Sequence, residues 1–314
     1  MHAPTLITSS SSPIPLAEWE LQFQIQQALS NKLTGQIQIA FINGRTESIF
    51  VLNGVVKCLY VRNHRLPTLS WESPLARFGR GTVTIQSLPA RALMFRKVIL
   101  EEITTPPPQP SGTNQLKTMF SLAEHNTNPT LFHIRWEKAE GYVLVAGGHI
   151  PIRQSVFISP SLVEEGNLAY EHMAIWDEPR CNVTIYRGDI KNQAWFELHL
   201  NILFEWYAQN MLNHYKQLTG IVMVRSILQS ISMLAETRKW NISTQQQNLR
   251  DTSLFFIAAD AGTAYRNMLS AIRSRIEPVI GSSLTRMLVK QSTEATRGVY
   301  KTIQEVFELI EDAQ

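Results

Sequence analysis

The spacing of hydrophobic positions changes from a helical to a strand period near the start of the chain. Leu21, Ile25 and Leu29 recur at helical spacing, which predicts one apolar helix face. In the segment TGQIQIAF (residues 34–41), large apolar residues then alternate with polar ones, as in a strand with one buried face. The chain therefore begins with a predicted helix followed by a strand.

Two Asn-Gly pairs follow, and each predicts a tight turn between antiparallel strands. They are Asn43-Gly44 and Asn53-Gly54, and both are flanked by apolar strand-like segments. A further strand, GTVTI (residues 81–85), and a helix, ARALMFRKVILEEI (residues 90–103), complete the unit. We place this first α+β unit at residues 16–103.

The same order of elements returns in a second unit. A segment with four prolines, residues 104–114, is typical of a linker. A short helix, an alternating strand and a return strand follow it, and then CNVTI (residues 181–185), whose Val-Thr-Ile lies 100 positions after that of GTVTI. We place the second unit at residues 115–206 and infer an internal duplication.

The last third of the chain has helical spacing throughout. Tyr265, Leu269, Ile272 and Ile276 form one apolar stripe, which Pro278 and Gly281 are expected to interrupt before it resumes. Asp251 and Thr252 offer N-terminal caps for a helix that begins with LFFIAADA (residues 254–261). Residues 207–314 are accordingly predicted to form a helical domain.

The predicted fold class is thus α+β. It consists of two tandem helix-plus-antiparallel-strand units followed by a C-terminal α-helical bundle. Residues 1–15 are expected to be a disordered tail.

Composition argues against several classes of function and does not point to a particular one. The net charge of +3 comes from 29 basic and 26 acidic residues that are interspersed, so nucleic-acid binding is not expected. No run of 18 apolar residues and no secretory signal occurs, and Cys58 and Cys181 are too far apart in sequence to suggest a disulfide scaffold. We expect a cytoplasmic protein without a membrane span.

Motifs for chemistry are missing from the sequence. No Cys-x-x-Cys, His-Glu-x-x-His or EF-hand pattern is present, and Gly147-Gly148 fits a hairpin turn better than a phosphate-binding loop. Cys58, in an apolar strand, fits a packed side chain better than a reactive thiolate. The sequence therefore predicts no metal site, no cofactor and no enzyme activity.

Two groups of residues in the last 120 positions are candidate contact surfaces. Aromatic residues cluster where the second unit meets the helices, at Trp195, Trp206 and Tyr207, and such residues occur either at interfaces or in a core. A basic helix face could meet an acidic partner, or could simply be a solvated face, since glutamates are interleaved with it. Its residues are Arg266, Arg273, Lys290 and Arg297.

The segment Leu33 to Arg65 resembles the PATAN domain of bacterial PatA-like response regulators. The positions that carry the resemblance are Thr34-Gly35 at the strand entry, Asn53-Gly54 at the hairpin, and the loop Asn63, His64 and Arg65. The resemblance implies a non-catalytic signalling module that binds partner proteins, in systems such as type IV pili, surface motility or differentiation. The chain departs from the family in having helices where a receiver domain would be.

The leading hypothesis is an adaptor. Its partner-binding residues would be Asn63, His64 and Arg65 together with the aromatic group, and the C-terminal helices would mediate self-association. The alternative hypothesis is a small-molecule or nucleotide sensor with a ligand cleft between the two α+β units.

Overall fold

The structure is a computed structural model. It describes residues 14–16, 18–61, 64–66, 81–102, 105–123, 125, 129–146, 152–188, 192–244, 249–251, 253, 255 and 258–308. The predicted tail therefore lies outside the described residues except for its last positions. The chain forms two compact units, Met1–Gly188 and Asp189–Gln314, which are called the first and second unit from here on. The two α+β units predicted above are from here on called the first and second repeat.

The first unit contains the first predicted α+β repeat and the second one up to residue 188. The first repeat has the elements β1 (Ile14–Leu16), α1 (Glu18–Ser30), β2 (Gly35–Phe41), β3 (Thr46–Leu52), β4 (Val55–Val61), β5 (His64–Leu66), β6 (Gly81–Ser87) and α2 (Ala90–Glu101). Its strands pair in the order β1-β6-β2-β3-β4-β5, and every pair is antiparallel.

The second repeat forms another antiparallel sheet. Its elements are β7 (Gln109–Gly112), a 3-10 turn (Thr113–Gln115), α3 (Leu116–Ala123), β8 (Thr130–Arg135), β9 (Glu140–Ala146), β10 (Ile152–Ile158), β11 (Val163–Glu165), α4 (Asn167–Ile175) and β12 (Arg180–Arg187). Read from β7, the strand order is β7-β12-β8-β9-β10-β11. This is the order of the first sheet, so the prediction of two tandem helix-plus-antiparallel-strand units is confirmed.

The register of the strands repeats as well. Thr84 of β6 pairs with Gln38, and Thr184 of β12 pairs with His133. Gln38 and His133 in turn pair with Ser48 and Tyr142, respectively. A one-residue slip would turn every side chain to the opposite face, so the two copies of Val-Thr-Ile occupy equivalent places in their sheets.

Each repeat has its own hydrophobic core on one face of its sheet. In the first repeat, Ile37, Ile39 and Phe41 of β2 pack with Ile25 and Ala28 of α1, as the alternation and the helical spacing predict. In the second repeat, buried residues of the sheet pack with those of α3 and α4. They are Phe132, Ile134, Val143, Phe157 and Val183 from the strands and Leu116, Phe120, Ala169 and Met173 from the helices.

The structure corrects two of the predicted boundaries. Residues 109–112, predicted as linker, form β7, which pairs with Arg180–Val183 of β12. Ile14 and Pro15, predicted as part of the tail, pair with β6. Both short strands lie at a sheet edge, where a proline without an N–H is tolerated, so composition alone did not reveal them.

The predicted start of the helical domain at residue 207 also differs from the structure. The second unit begins at Asp189, and helix α5 (Gln193–Thr219) runs unbroken through residues 206 and 207. The side chain of Asn192 caps this helix by accepting hydrogen bonds from the backbone N–H groups of Ala194 and Trp195. The helix therefore belongs to the second unit from its first residue.

The remainder of the second unit is helical, as predicted. Gly220 separates α5 from α6 (Ile221–Arg238), and α7 spans Ala258–Glu308. A two-residue strand pair, β13 (Ile242–Ser243) with β14 (Arg250–Asp251), lies between α6 and α7. Asp251 thus lies in β14 rather than at a helix start. Its carboxylate accepts hydrogen bonds from Asn201 and Tyr265.

Helix α7 follows the predicted stripe at first and departs from it later. Tyr265, Leu269, Ile272 and Ile276 are buried, whereas Leu284 and Met287 are exposed. The helix continues through Pro278, and the expected break is instead a local distortion at Gly281, whose φ is +83°. In the part of the chain that the structure describes, no helix has the length and apolar character needed to cross a bilayer.

Candidate functional site: a polar network and an edge cleft in the first unit

Arg96 of α2 lies at the centre of a polar network that joins the two repeats. Its Nη1 donates to Oε1 of Gln36 at 2.5 Å and to Oε1 of Gln86 at 2.8 Å, both in the first sheet. Its Nε donates to the hydroxyl of Tyr142 at 2.8 Å, and its Nη2 donates to Glu140, both in β9 of the second sheet. One guanidinium therefore holds both sheets.

Glu140 accepts hydrogen bonds from three directions. Besides Arg96, the Tyr142 hydroxyl donates to Oε1 at 2.5 Å, and Nε2 of His133 lies 2.7 Å from the same oxygen. The His133 ring stacks on Tyr142, with centroids 4.9 Å apart. Burial raises the pKa of Glu140, but the hydrogen bond from His133 and the charge of Arg96 outweigh it, and the pKa falls to about 2.

Two members of this network, Glu140 and Tyr142, keep their protonation states near pH 7. Glu140 stays ionised at neutral pH, and burial raises the pKa of Tyr142 well above its ordinary value, so neither group exchanges a proton near pH 7. Further contacts between the repeats are a hydrogen bond from Arg91 to Gln154 and the packing of Phe95 on Tyr142, with ring centroids 5.9 Å apart. Protein side chains thus occupy this region between the repeats.

An open cleft lies elsewhere, at the β7 edge of the second sheet. Its volume is about 1190 Å³, and we call it the edge cleft. Three parts of the second repeat line it: strand β7, the ends of β8 and β12, and the segment before β12. The lining residues used below are Pro110, Arg135, Glu137, Glu178, Arg180 and Asn182.

Strand register places three polar side chains of the edge cleft on one sheet face. Asn182 pairs with Arg135 on β8, and Arg180 lies two residues before Asn182 on β12, hence on the same face. All three residues are exposed. Neither Arg135 nor Arg180 forms an ion pair with a residue that the structure describes.

Two of the carboxylates near these arginines are committed to other groups. Glu140 pairs with Arg135 in strand register, but its carboxylate binds Arg96 and His133. Glu178 accepts hydrogen bonds from the backbone N–H groups of Glu137 and Lys138 at 2.7 and 3.1 Å and from Nε1 of Trp176 at 3.1 Å. Glu178 therefore fastens the β8–β9 turn, and among the described residues it is not an ion-pair partner of either arginine.

The predicted loop site is only partly described. Asn63 lies outside the described residues, and His64 is exposed at the start of β5. Nε of Arg65 lies 3.6 Å from Oε1 of Glu101, and the Arg65 side chain is 15% exposed. Arg65 thus contributes to holding β5 against α2, and His64 is the described member of this group that faces solvent.

The predicted aromatic group contains one core residue and two half-buried residues. Trp195 is fully buried, which agrees with the core alternative and corrects its assignment to a partner surface. Trp206 and Tyr207 are half-buried. The Tyr207 hydroxyl lies 3.5 Å from the backbone oxygen of Val289 and from Oγ1 of Thr293, so it contacts α7 within the second unit.

The predicted basic face is not a continuous row of free charges. Arg266 is exposed and its Nε donates to the backbone oxygen of Gly262, while Arg273 is half-buried. Lys290 lies 3.9 Å from Glu294 one turn later, as expected for a solvated face with interleaved acids. The side chain of Arg297 lies outside the described residues.

Sequence reasoning did not identify the residues of the polar network or the edge cleft. The partners of Arg96 are 10, 44, 46 and 60 positions away in sequence, so no local motif contains them. The alternation of Phe132, Ile134 and Trp136 in TLFHIRW (residues 130–136) leaves His133 and Arg135 on the opposite face, which is the signal that the sequence offers. Over the described residues, no three His, Cys, Asp or Glu side chains are grouped to hold a metal ion.

No protein-family model and no curated protein sequence matches this chain.

Proposed function

We propose that the protein is a non-catalytic adaptor that binds partner proteins, and that the first unit is its binding platform. The observation that carries the proposal is the edge cleft, where two exposed arginines without ionic partners among the described residues share one rigid sheet face. Glu140, on the same face, is engaged with Arg96 in holding the repeats together. Such an arrangement favours binding over chemistry.

The sequence supports the same proposal. The resemblance to the PATAN family predicts partners in systems that control type IV pili, surface motility or differentiation. We propose a cytoplasmic setting, and this agrees with the two cysteines being free and buried. Self-association through the C-terminal helices remains part of the proposal, since Leu284 and Met287 of α7 are exposed.

Affinity purification from the native cell followed by reconstitution tests this function. The tagged full-length chain should recover at least one protein that then binds the purified chain directly, with micromolar or tighter affinity. His64→Ala tests the predicted loop, and exposed Arg187→Ala, at the end of β12 and outside the cleft lining, is its control. If no recovered protein binds the purified chain, the adaptor proposal is wrong.

A small-molecule or nucleotide sensor is the second candidate function. The two exposed arginines of the edge cleft favour it, because guanidinium groups bind phosphates in a bidentate manner. A thermal-shift screen with nucleotides tests it, since a ligand at about 100 times its Kd stabilises a fold by about 2.7 kcal/mol. A shift that disappears in Arg135→Gln would favour the sensor over the adaptor.

A further inference from the structure

The edge cleft has a charge pattern that selects among possible partners. Arg135 and Arg180 lie on adjacent strands, on the same face, and diagonal to one another across Asn182. Diagonal neighbours on a sheet are about 7 to 8 Å apart at the backbone, within reach of one ligand for two long side chains. The two guanidinium groups can therefore contact carboxylates on the same extended segment.

The acidic residues of the cleft do not cancel this attraction equally. Both oxygens of Glu178 accept N–H hydrogen bonds, which offset its charge locally. Glu137 is exposed and lies two residues beyond Arg135, so it repels a carboxylate placed at that end. The charges thus fix where along the cleft an acidic group binds.

The shape of the cleft favours a peptide over a small molecule. Pockets for small ligands usually enclose about 300 to 1,000 Å³, whereas this cleft is about 1190 Å³ and open to solvent. Its wall includes Pro110, which pairs with Asn182 and offers apolar contact beside the arginines. The free edge itself is a poor template for strand addition, because β7 has four residues and contains Pro110.

We propose that the edge cleft binds an acidic peptide segment of a partner protein, with Arg135 and Arg180 contacting its carboxylates and Asn182 hydrogen-bonding between them. This inference rests on the proposed adaptor function and names the chemistry of the partner. The segment carries at least two Asp or Glu residues together with apolar residues that contact the wall of the cleft. Recognition is through side chains on the sheet face.

Peptide display followed by binding measurements tests the proposal. Random twelve-residue peptides are selected on the immobilised full-length chain, and fluorescein-labelled versions of the enriched peptides are measured by fluorescence anisotropy. We expect Asp and Glu to be enriched. Replacing the carboxylates of a selected peptide by Asn and Gln should weaken its binding, since charge-assisted hydrogen bonds to arginine are the strong ones.

Matched variants of the protein locate the site. Arg135→Gln and Arg180→Gln should each weaken binding by roughly tenfold, as expected for loss of a hydrogen bond between charged groups. Arg187→Gln is the control, because Arg187 is exposed on the same strand and outside the cleft lining. Circular dichroism melting of each variant verifies that the fold is retained.

Three outcomes would overturn the proposal: enrichment of peptides without acidic residues, no enrichment at all, or equal binding to all three arginine variants. Binding of inorganic phosphate or ATP, together with no peptide binding, would assign the cleft to a small anion instead. The two proposals fail separately. A native partner that binds Arg135→Gln/Arg180→Gln as well as wild type overturns the acidic-peptide proposal and leaves the adaptor function intact.

Discussion

At the scale of single residues, Arg96 is the side chain on which the contact between the repeats depends most. Replacing it by methionine keeps much of the apolar stem but removes the guanidinium group from Glu140, which keeps its hydrogen bonds with His133 and Tyr142. We expect Arg96→Met to lower the free energy of unfolding by roughly 2 to 4 kcal/mol, somewhat below the usual cost of removing one partner of a buried ion pair, because Glu140 keeps His133 and Tyr142. Urea unfolding measures this loss of free energy. Hydrogen exchange of the backbone amides in β8 and β9 shows whether these strands are the part that is weakened.

The control for Arg96 is an arginine that holds nothing comparable. Arg187→Met at the exposed end of β12 should change stability by less than about 0.5 kcal/mol. Equal effects of the two substitutions would show that the network does not hold the repeats together.

Glu140 predicts a dependence of stability on acid pH. Its folded pKa of about 2 lies below its ordinary value of 4.5, so the ionised carboxylate stabilises the fold above pH 4.5. This contribution is lost as the pH falls from 4.5 towards 2. We expect Glu140→Gln to be less stable than wild type at pH 7 and to show a flatter loss of stability across that acid range.

Measuring the free energy of unfolding of both proteins at intervals from pH 7 to pH 2 tests this expectation. Parallel curves for wild type and Glu140→Gln would contradict it.

Residues of this kind were beyond local sequence patterns. Alternation put His133 and Arg135 on a common face, but nothing in the helix pattern of residues 90–103 distinguished Arg96 from the other basic residues. Arg96 joins the repeats because folding brings Gln36, Gln86, Glu140 and Tyr142 close to it. The loop at His64 and Arg65 was recognised by resemblance, and the structure engages Arg65 with Glu101.

At the scale of elements, the turn between β3 and β4 tests the hairpin geometry. Gly54 has φ +78°, and a Cβ added there would lie 2.3 Å from the backbone oxygen of Leu29. Gly44, in the turn between β2 and β3, has φ +77° but no atom within 4 Å of an added Cβ. The two glycines therefore differ in crowding and share the same backbone strain.

We expect Gly44→Ala to cost roughly 1 kcal/mol of stability, the strain of a left-handed alanine. Gly54→Ala should cost more, by roughly 1 to 3 kcal/mol, because α1 must move away from the turn. Thermal and urea unfolding of the two variants provide the comparison. A Gly54→Ala variant as stable as Gly44→Ala would mean that α1 does not pack against this turn.

The sequence predicted these elements well where periodicity was strong. The alternation in β2, the two Asn-Gly turns and the matching Val-Thr-Ile strands led to both repeats. It failed where an element is held mainly by its backbone, as β7 is by pairing with β12. The break predicted at Pro278 and Gly281 is present only as a positive φ at Gly281, and the helix continues through both positions.

At the scale of the whole molecule, the boundary at Gly188 predicts which fragments fold. Each repeat of the first unit has its own core, so a fragment of residues 1–188 should fold without the second unit. A fragment of residues 1–206 would end inside α5 and expose Trp195 and Phe204, which are buried in the full chain. We expect the longer fragment to aggregate and the shorter one to remain monomeric.

Size-exclusion chromatography and circular dichroism of the two fragments measure this difference. A folded, monomeric 1–206 together with an unfolded 1–188 would return the boundary to the position predicted from the sequence.

The central claim is that the edge cleft binds an acidic segment of a partner, and a charge exchange tests it most directly. The measurement is the Kd of a selected acidic peptide, and of the same peptide with lysines replacing its acidic residues, for wild type and for Arg135→Glu/Arg180→Glu. We predict that the reversed protein loses the acidic peptide and gains the lysine peptide. If the reversed protein still binds the acidic peptide with wild-type affinity, the claim is contradicted.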